Sequence, residues 1–147
     1  MSIANDVRVA VYRSFIETTR APMASDIASV IGATVGEVLA GLRELDDQDV
    51  IALQPGTDLI WLAHPFCAVD APFQVATQGR TWDAICIWDA LGVLAVLDSD
   101  GRVTTSCPDC GDGLRVPVHR GDVVGVERHV VHYEVPAANW YDDIAHT

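Results

Sequence analysis

The thiol of Cys86 and the carboxyl group of Asp89, three residues apart, are the side chains whose types and spacing point most directly to chemistry. They sit in an apolar setting made by Ile85, Ile87, Trp88 and Leu91. On a helix, positions i and i+3 place both side chains on one face. A thiolate is a soft ligand that selects soft metals. A carboxyl group among hydrocarbon neighbours is costly to bury as an anion and tends to hold its proton, so it can deliver that proton to whatever the metal carries. The pair therefore reads as equipment for protonating a group held on sulfur. The competing reading is structural, with Cys86 a small buried hydrophobe and Asp89 turned to solvent.

A second constellation is Cys107-Pro108-Asp109-Cys110-Gly111. Proline and glycine fold such a turn so that both sulfurs can reach one ion. One knuckle supplies two ligands, whereas a structural zinc site wants four. Candidates for a third ligand are His119, His129, His132, Cys86 and Cys67. If His129 and His132 lie on a strand, their odd spacing sends them to opposite faces, and a bulge is needed before both can serve. The competing reading is a paired or idle thiol turn. His64 and His146 read as loop and tail residues, and Trp61, Trp82, Trp88 and Trp140 as packing.

The elements that must position these groups can be read from periodicity. Val7, Val11, Phe15 and Ile16 recur at helical spacing until Ala21-Pro22. Ser25 is the expected cap of a short helix over 26–31 that ends at Gly32, and Thr34 the cap of a third helix burying Val38, Leu39, Leu42 and Leu45. Two strands, 50–53 and 59–62, follow around a Pro55-Gly56 turn. Helix, helix, helix, hairpin is the winged helix-turn-helix order. Beyond His64-Pro65-Phe66 the chain turns to strands at 73–76, 103–106, 114–118, 122–126 and 129–135. Ala84, Ile85, Trp88, Leu91 and Ala95 fall at three- and four-residue intervals, which predicts a buried helix over 82–95. Trp140 is the expected anchor of the tail. The fold class is therefore α+β: a winged-helix-like subdomain over 1–63, then a mixed or antiparallel β-rich core over 64–147 with one buried helix.

Composition excludes several functions. Half of the 147 residues are hydrophobic, too many for a disordered chain, and the length suits one domain or two very small ones. The formal net charge is −12, and every cation is an arginine. Phosphate neutralisation supplies most of the affinity of an electrostatic DNA-binder, so nucleic acid is not an expected partner. The third helix repeats the point locally: between Thr34 and Asp49, Arg43 stands against Glu37, Glu44, Asp46, Asp47 and Asp49. A structural role, or formation of a homodimer, is the expectation for this subdomain. The start carries Asp6 and Arg8 and lacks a signal-peptide core. The longest apolar stretch, 84–97, is broken by Asp89 and is shorter than the roughly 20 residues a bilayer needs. A cytoplasmic protein with reduced cysteines and no membrane partner is expected.

The order of segments and several motifs together resemble the organomercurial (alkylmercury) lyase family. The carriers are a Pro-Phe connector from His64 to Phe73 and a Cys-x-x-Asp-Ala-Leu signature, Cys86 to Leu91. They continue with a strand running into Cys107 and a late His132, Val135, Pro136 and Trp140. The resemblance implies that Cys86 is the first mercury-binding thiol, that Asp89 is the carboxylic acid of proton delivery, and that Cys107 matches a structural cysteine. The family's second catalytic cysteine lies shortly before the late His-rich strand, and residues 123–129 contain none. The resemblance further implies protonolytic cleavage of a carbon–mercury bond without a cofactor, acting on a small organometal, with Hg(II) as bound product. Metal contacts are expected at Cys86, Asp89, Cys107 and Cys110, zinc being an option at Cys107 and Cys110. A non-catalytic soft-metal binding or sensing protein on the same scaffold is the alternative, and a winged-helix regulator the third reading.

Overall fold

The computed structural model describes residues 2–144, which group into two compact units divided between Asp70 and Ala71. In the first unit, helix α1 (Ile3–Thr18) starts where the Ser2 hydroxyl accepts from the Asn5 N–H. It buries Val7, Val11 and Phe15 completely, whereas Ile16 stays exposed. Helix α2 (Ala24–Ile31) begins earlier than expected. Met23 is its N-cap, and the Asp26 carboxylate accepts the Met23 N–H at 3.2 Å, so the acid at the third helical position closes the turn and Ser25 lies inside the helix. Gly32 ends it with φ 70°, a left-handed conformation that glycine adopts without steric cost.

Helix α3 (Val35–Asp47) is capped as the sequence predicts. The Thr34 hydroxyl accepts from the Glu37 N–H, and the Glu37 carboxylate accepts from the Thr34 N–H at 2.8 Å, which satisfies two N-terminal donors at once. Val38, Leu42 and Leu45 are buried, and Leu39 half-buried. A Cβ on Gly41 would lie 3.1 Å from Val7, so its absence lets α1 and α3 approach closely. Strands β1 (Ala52–Leu53) and β2 (Ile60–Ala63) pair antiparallel. Strand β3 (Phe66–Cys67) then pairs antiparallel with β2, and Phe66 stacks on Phe15 at 5.4 Å, which keeps this part of the connector with the first unit.

The second unit is an antiparallel sheet carrying one helix. Strands β4 (Phe73–Thr77) and β5 (Arg80–Ala84) form a hairpin through Gln78-Gly79, both at positive φ. Strand β6 (Gly101–Ser106) lies on the other side of β4 and pairs along its length with β7 (Gly113–His119). A two-residue turn, Arg120-Gly121, leads to the short β8 (Asp122–Val123). Within this unit the strands run β5-β4-β6-β7-β8. Helix α4 (Ile87–Val96) packs mainly on β4 and buries Ala90, Val93 and Leu94 against a face that includes Val75, Trp82 and Val103. The fit is close: a Cβ on Gly101 would lie 2.6 Å from Leu94 and 2.7 Å from the Ala76 carbonyl oxygen.

Two expectations are corrected here. The helix predicted over 82–95 begins at Ile87, because residues 80–84 pair with β4 and alternate Trp82 and Ala84 into the core. Period-2 burial against a neighbouring strand outweighs the local helical spacing. The strand predicted over 129–135 does not form. Gly125 takes φ 75°, the His129 N–H closes a turn on the Val126 carbonyl, and Val130 and Val131 are 90% and 58% exposed. A 3-10 helix (Ala137–Asp142) follows Pro136. Trp140 anchors this segment as expected, donating from Nε1 to the Val135 carbonyl at 2.9 Å and packing its ring on Tyr133. Among the described residues no single helix is long and apolar enough to cross a membrane.

Candidate functional site

Cys86 is not on the helix but directly ahead of it. It occupies the N-cap of α4 with extended backbone, φ −146° and ψ 172°, where β5 hands over to the helix. The predicted juxtaposition with Asp89 survives this correction, because N-cap and N3 side chains reach toward one another across the first turn. The Asp89 N–H points to the Cys86 Sγ at 3.4 Å. Asp89 is only 6% exposed, which removes the reading in which it faces solvent. Thiol and carboxyl group therefore share the start of α4.

The electrostatics of this sulfur are opposed. Burial pushes the Cys86 thiol up, and the Asp89 carboxyl group adds to that, while the N–H groups of Asp89 and Trp88 pull it down. Dehydration beside a carboxylate outweighs the favourable end of the helix dipole. Burial at this position therefore favours the protonated thiol over the thiolate.

Tyr133 is coupled electrostatically to this pair, and sequence reasoning missed it. Its phenol is pushed up by burial first and then by Cys86 and Asp89, while the Trp88 N–H pulls it down. Its ring centroid lies 5.1 Å from that of Trp140. The available signal was Trp140 itself, whose anchoring role implied that something upstream would be held with it.

The second cysteine pair is held by backbone. The Cys107 N–H donates to the Asp112 carbonyl at 2.8 Å, and the Gly111 N–H to the Cys107 carbonyl at 2.9 Å. The Cys107 thiol is pulled down by the N–H of Cys110, then that of Asp109, then the Cys110 side chain. Cys107 is partly exposed and Cys110 exposed. Among the described residues no group of three or more His, Cys, Asp or Glu side chains could hold a metal ion. The expected third ligands are therefore not assembled. His119 Nδ1 instead meets Asp100 at 2.6 Å, His129 and His132 are exposed, and the Cys67 thiol donates to the Val69 carbonyl within the first unit. The four ligands of a structural zinc site are not supplied at this turn. His146 lies outside the described residues.

These opposite shifts give a direct expectation. Thiolate is the reactive form, so limited iodoacetamide at neutral pH, read by peptide mass spectrometry, modifies Cys107 before Cys86. Raising the pH accelerates Cys86 over a range above that of an ordinary thiol. Simultaneous modification at neutral pH would contradict the geometry around Cys86.

Two hollows among the described residues are lined without any of the thiols. One of about 580 Å³ lies on the first unit beside Arg8, Tyr12 and Val50. The other, about 470 Å³, lies between α4 and the β7–β8 hairpin, walled by Trp88, Leu91, Ala95 and Val123.

Comparison with known families adds the deciding observation: the profile of MerB, alkylmercury lyase, matches residues 66–147, more than half of the chain. The chain belongs to the alkylmercury lyase family. Cys86, Asp89, Cys107, Cys110 and Tyr133 all lie within the part that matches this lyase family. No curated protein sequence matches the chain. Among solved structures, the crystal structure of the mercury-bound form of MerB2 is similar with a TM-score of 0.64 at 18% identity. The likeness covers 84% of this chain and 66% of that one, so the chain spans just under two thirds of the other's length. It establishes the α+β, antiparallel-sheet fold.

Proposed function

We propose that this chain is an organomercurial lyase-like protein that cleaves a carbon–mercury bond by protonolysis, with Cys86 as the soft-metal ligand and Asp89 as the proton donor. The observation that carries the reading is the hydrogen bond from the Asp89 backbone N–H to the Cys86 sulfur at the start of α4, which sets the thiol on the same helical turn as the buried Asp89 side chain. An organomercurial cation takes the place of the thiol proton on sulfur, and Asp89 receives that proton. Sulfur now donates electron density to mercury, which weakens the bond to carbon. Asp89 returns the proton to carbon as that bond breaks, so the hydrocarbon leaves without a free carbanion. Mercury(II) remains on the Cys86 sulfur beside the Asp89 carboxylate, and atoms and charge balance with no cofactor.

The first unit is proposed to be a winged-helix-like subdomain with a structural or dimer-forming role. Its third helix is a poor reader of DNA, because Arg43 is committed to Asp58 through contacts of 2.8 and 2.9 Å, leaving an acidic face that repels phosphate. One observation favours a second reading: residues 123–129 carry no cysteine, which suits a protein that binds or senses a soft metal without turnover. The experiment is to incubate the purified chain with phenylmercury and excess monothiol and to measure benzene. Repeated benzene release supports the lyase. Stoichiometric retention of metal without hydrocarbon supports the binding protein.

A further inference from the structure

The turn at residues 107–112 holds chemistry that the lyase reading leaves unused. Its backbone is closed by two hydrogen bonds, from Cys107 to Asp112 and from Gly111 to Cys107, and Gly111 takes φ 78° so that the chain reverses immediately after Cys110. The turn places Cys107 and Cys110 within one chain reversal, and the backbone N–H groups of Cys110 and Asp109, then the Cys110 side chain, pull the Cys107 thiol down. Successive backbone amides directed at one point favour negative charge there. Cys110 is exposed, so an ion reaches the pair directly from solvent.

The ligand count selects the ion. Among the described residues no third His, Cys, Asp or Glu joins the two sulfurs, and His119 is engaged by Asp100. A four-coordinate ion such as zinc is left two protein ligands short. A soft ion satisfied by two thiolates is not.

We propose that Cys107 and Cys110 form a dithiol chelate for one thiophilic ion of low coordination number, of which the mercuric ion is the type. Binding is a simple exchange: two S–H protons go to solvent and two metal–sulfur bonds form, with no change of oxidation state. The proposal does not depend on turnover at Cys86, because the turn binds whether or not the lyase reaction occurs.

The test uses the full chain with Cys67→Ala and Cys86→Ser, freshly reduced and kept free of oxygen. Mercuric chloride is added in the presence of a large excess of N-acetylcysteine, and metal per chain is measured after desalting. The expected result is one mercury per chain, with apparent affinity falling about a hundredfold or more in Cys110→Ser, because the second sulfur then has to come from solution. Zinc offered in the same way is not retained. The unsubstituted chain provides a second measurement: mercury loading protects Cys107 and Cys110 together from alkylation. The proposal is overturned if Cys110→Ser holds mercury as well as its parent, if the parent holds none, if zinc is retained at one per chain, or if the two cysteines are not protected together.

Discussion

Replacing Cys86 by serine reduces benzene release from phenylmercury to the rate of the solution reaction and leaves the fold intact. Both halves of that expectation come from the same position. Cys86 is the N-cap of α4, and its sulfur accepts the Asp89 N–H. Serine is among the preferred N-cap residues, and its oxygen is a better acceptor than sulfur for the same amide. The helix therefore keeps or gains stability, by up to about 1 kcal/mol on the scale of capping effects, and thermal unfolding moves little or upward. Oxygen, however, is a hard donor with small affinity for mercury, so the substrate loses its anchor. Loss of turnover with an unchanged or raised melting temperature separates chemistry from structure. Retention of most of the activity in Cys86→Ser would remove Cys86 from the mechanism.

The sequence was a good guide wherever a local interaction determines the local structure. Thr34 and Glu37 announce the start of α3 because the two side chains satisfy each other's backbone amides. Gly32 announces the end of α2 because its left-handed conformation favours glycine. The proximity of Cys86 and Asp89 was legible for a related reason, since three-residue spacing brings side chains together both within a helix and across its first turn. What was not legible depends on partners distant in sequence. Residues 80–84 fit a helical spacing, and only their antiparallel pairing with β4 over residues 73–77 makes them a strand. Residues 129–135 alternate like a strand, yet they form none, and Val130 is left almost fully exposed. That failure also hid Tyr133, because reading it as one position in a ladder gave no reason to couple its phenol to Cys86 and Asp89.

Replacing Asp89 by asparagine isolates the proton. The side chains are close in size, and the site keeps its thiol, so mercury retention from Hg(II) is expected to change little. Hydrocarbon release is expected to fall by about 10²–10⁴, the usual contribution of a positioned acid or base. The cost to stability is small, up to about 1 kcal/mol for losing a negative charge at a helix N-terminus. Combining Cys86→Ser with Asp89→Asn adds almost nothing to the loss in Cys86→Ser alone, because residues that act in one step are not additive. The discriminating pair of measurements is organomercurial retention and benzene release on the same sample. Asp89→Asn that holds phenylmercury without releasing benzene is the arrested state the mechanism requires. Asp89→Asn that releases benzene at the parental rate would mean that carbon takes its proton elsewhere. Tyr133→Phe then becomes the informative variant, since that phenol bears a proton and is pushed up by burial and then by Cys86 and Asp89.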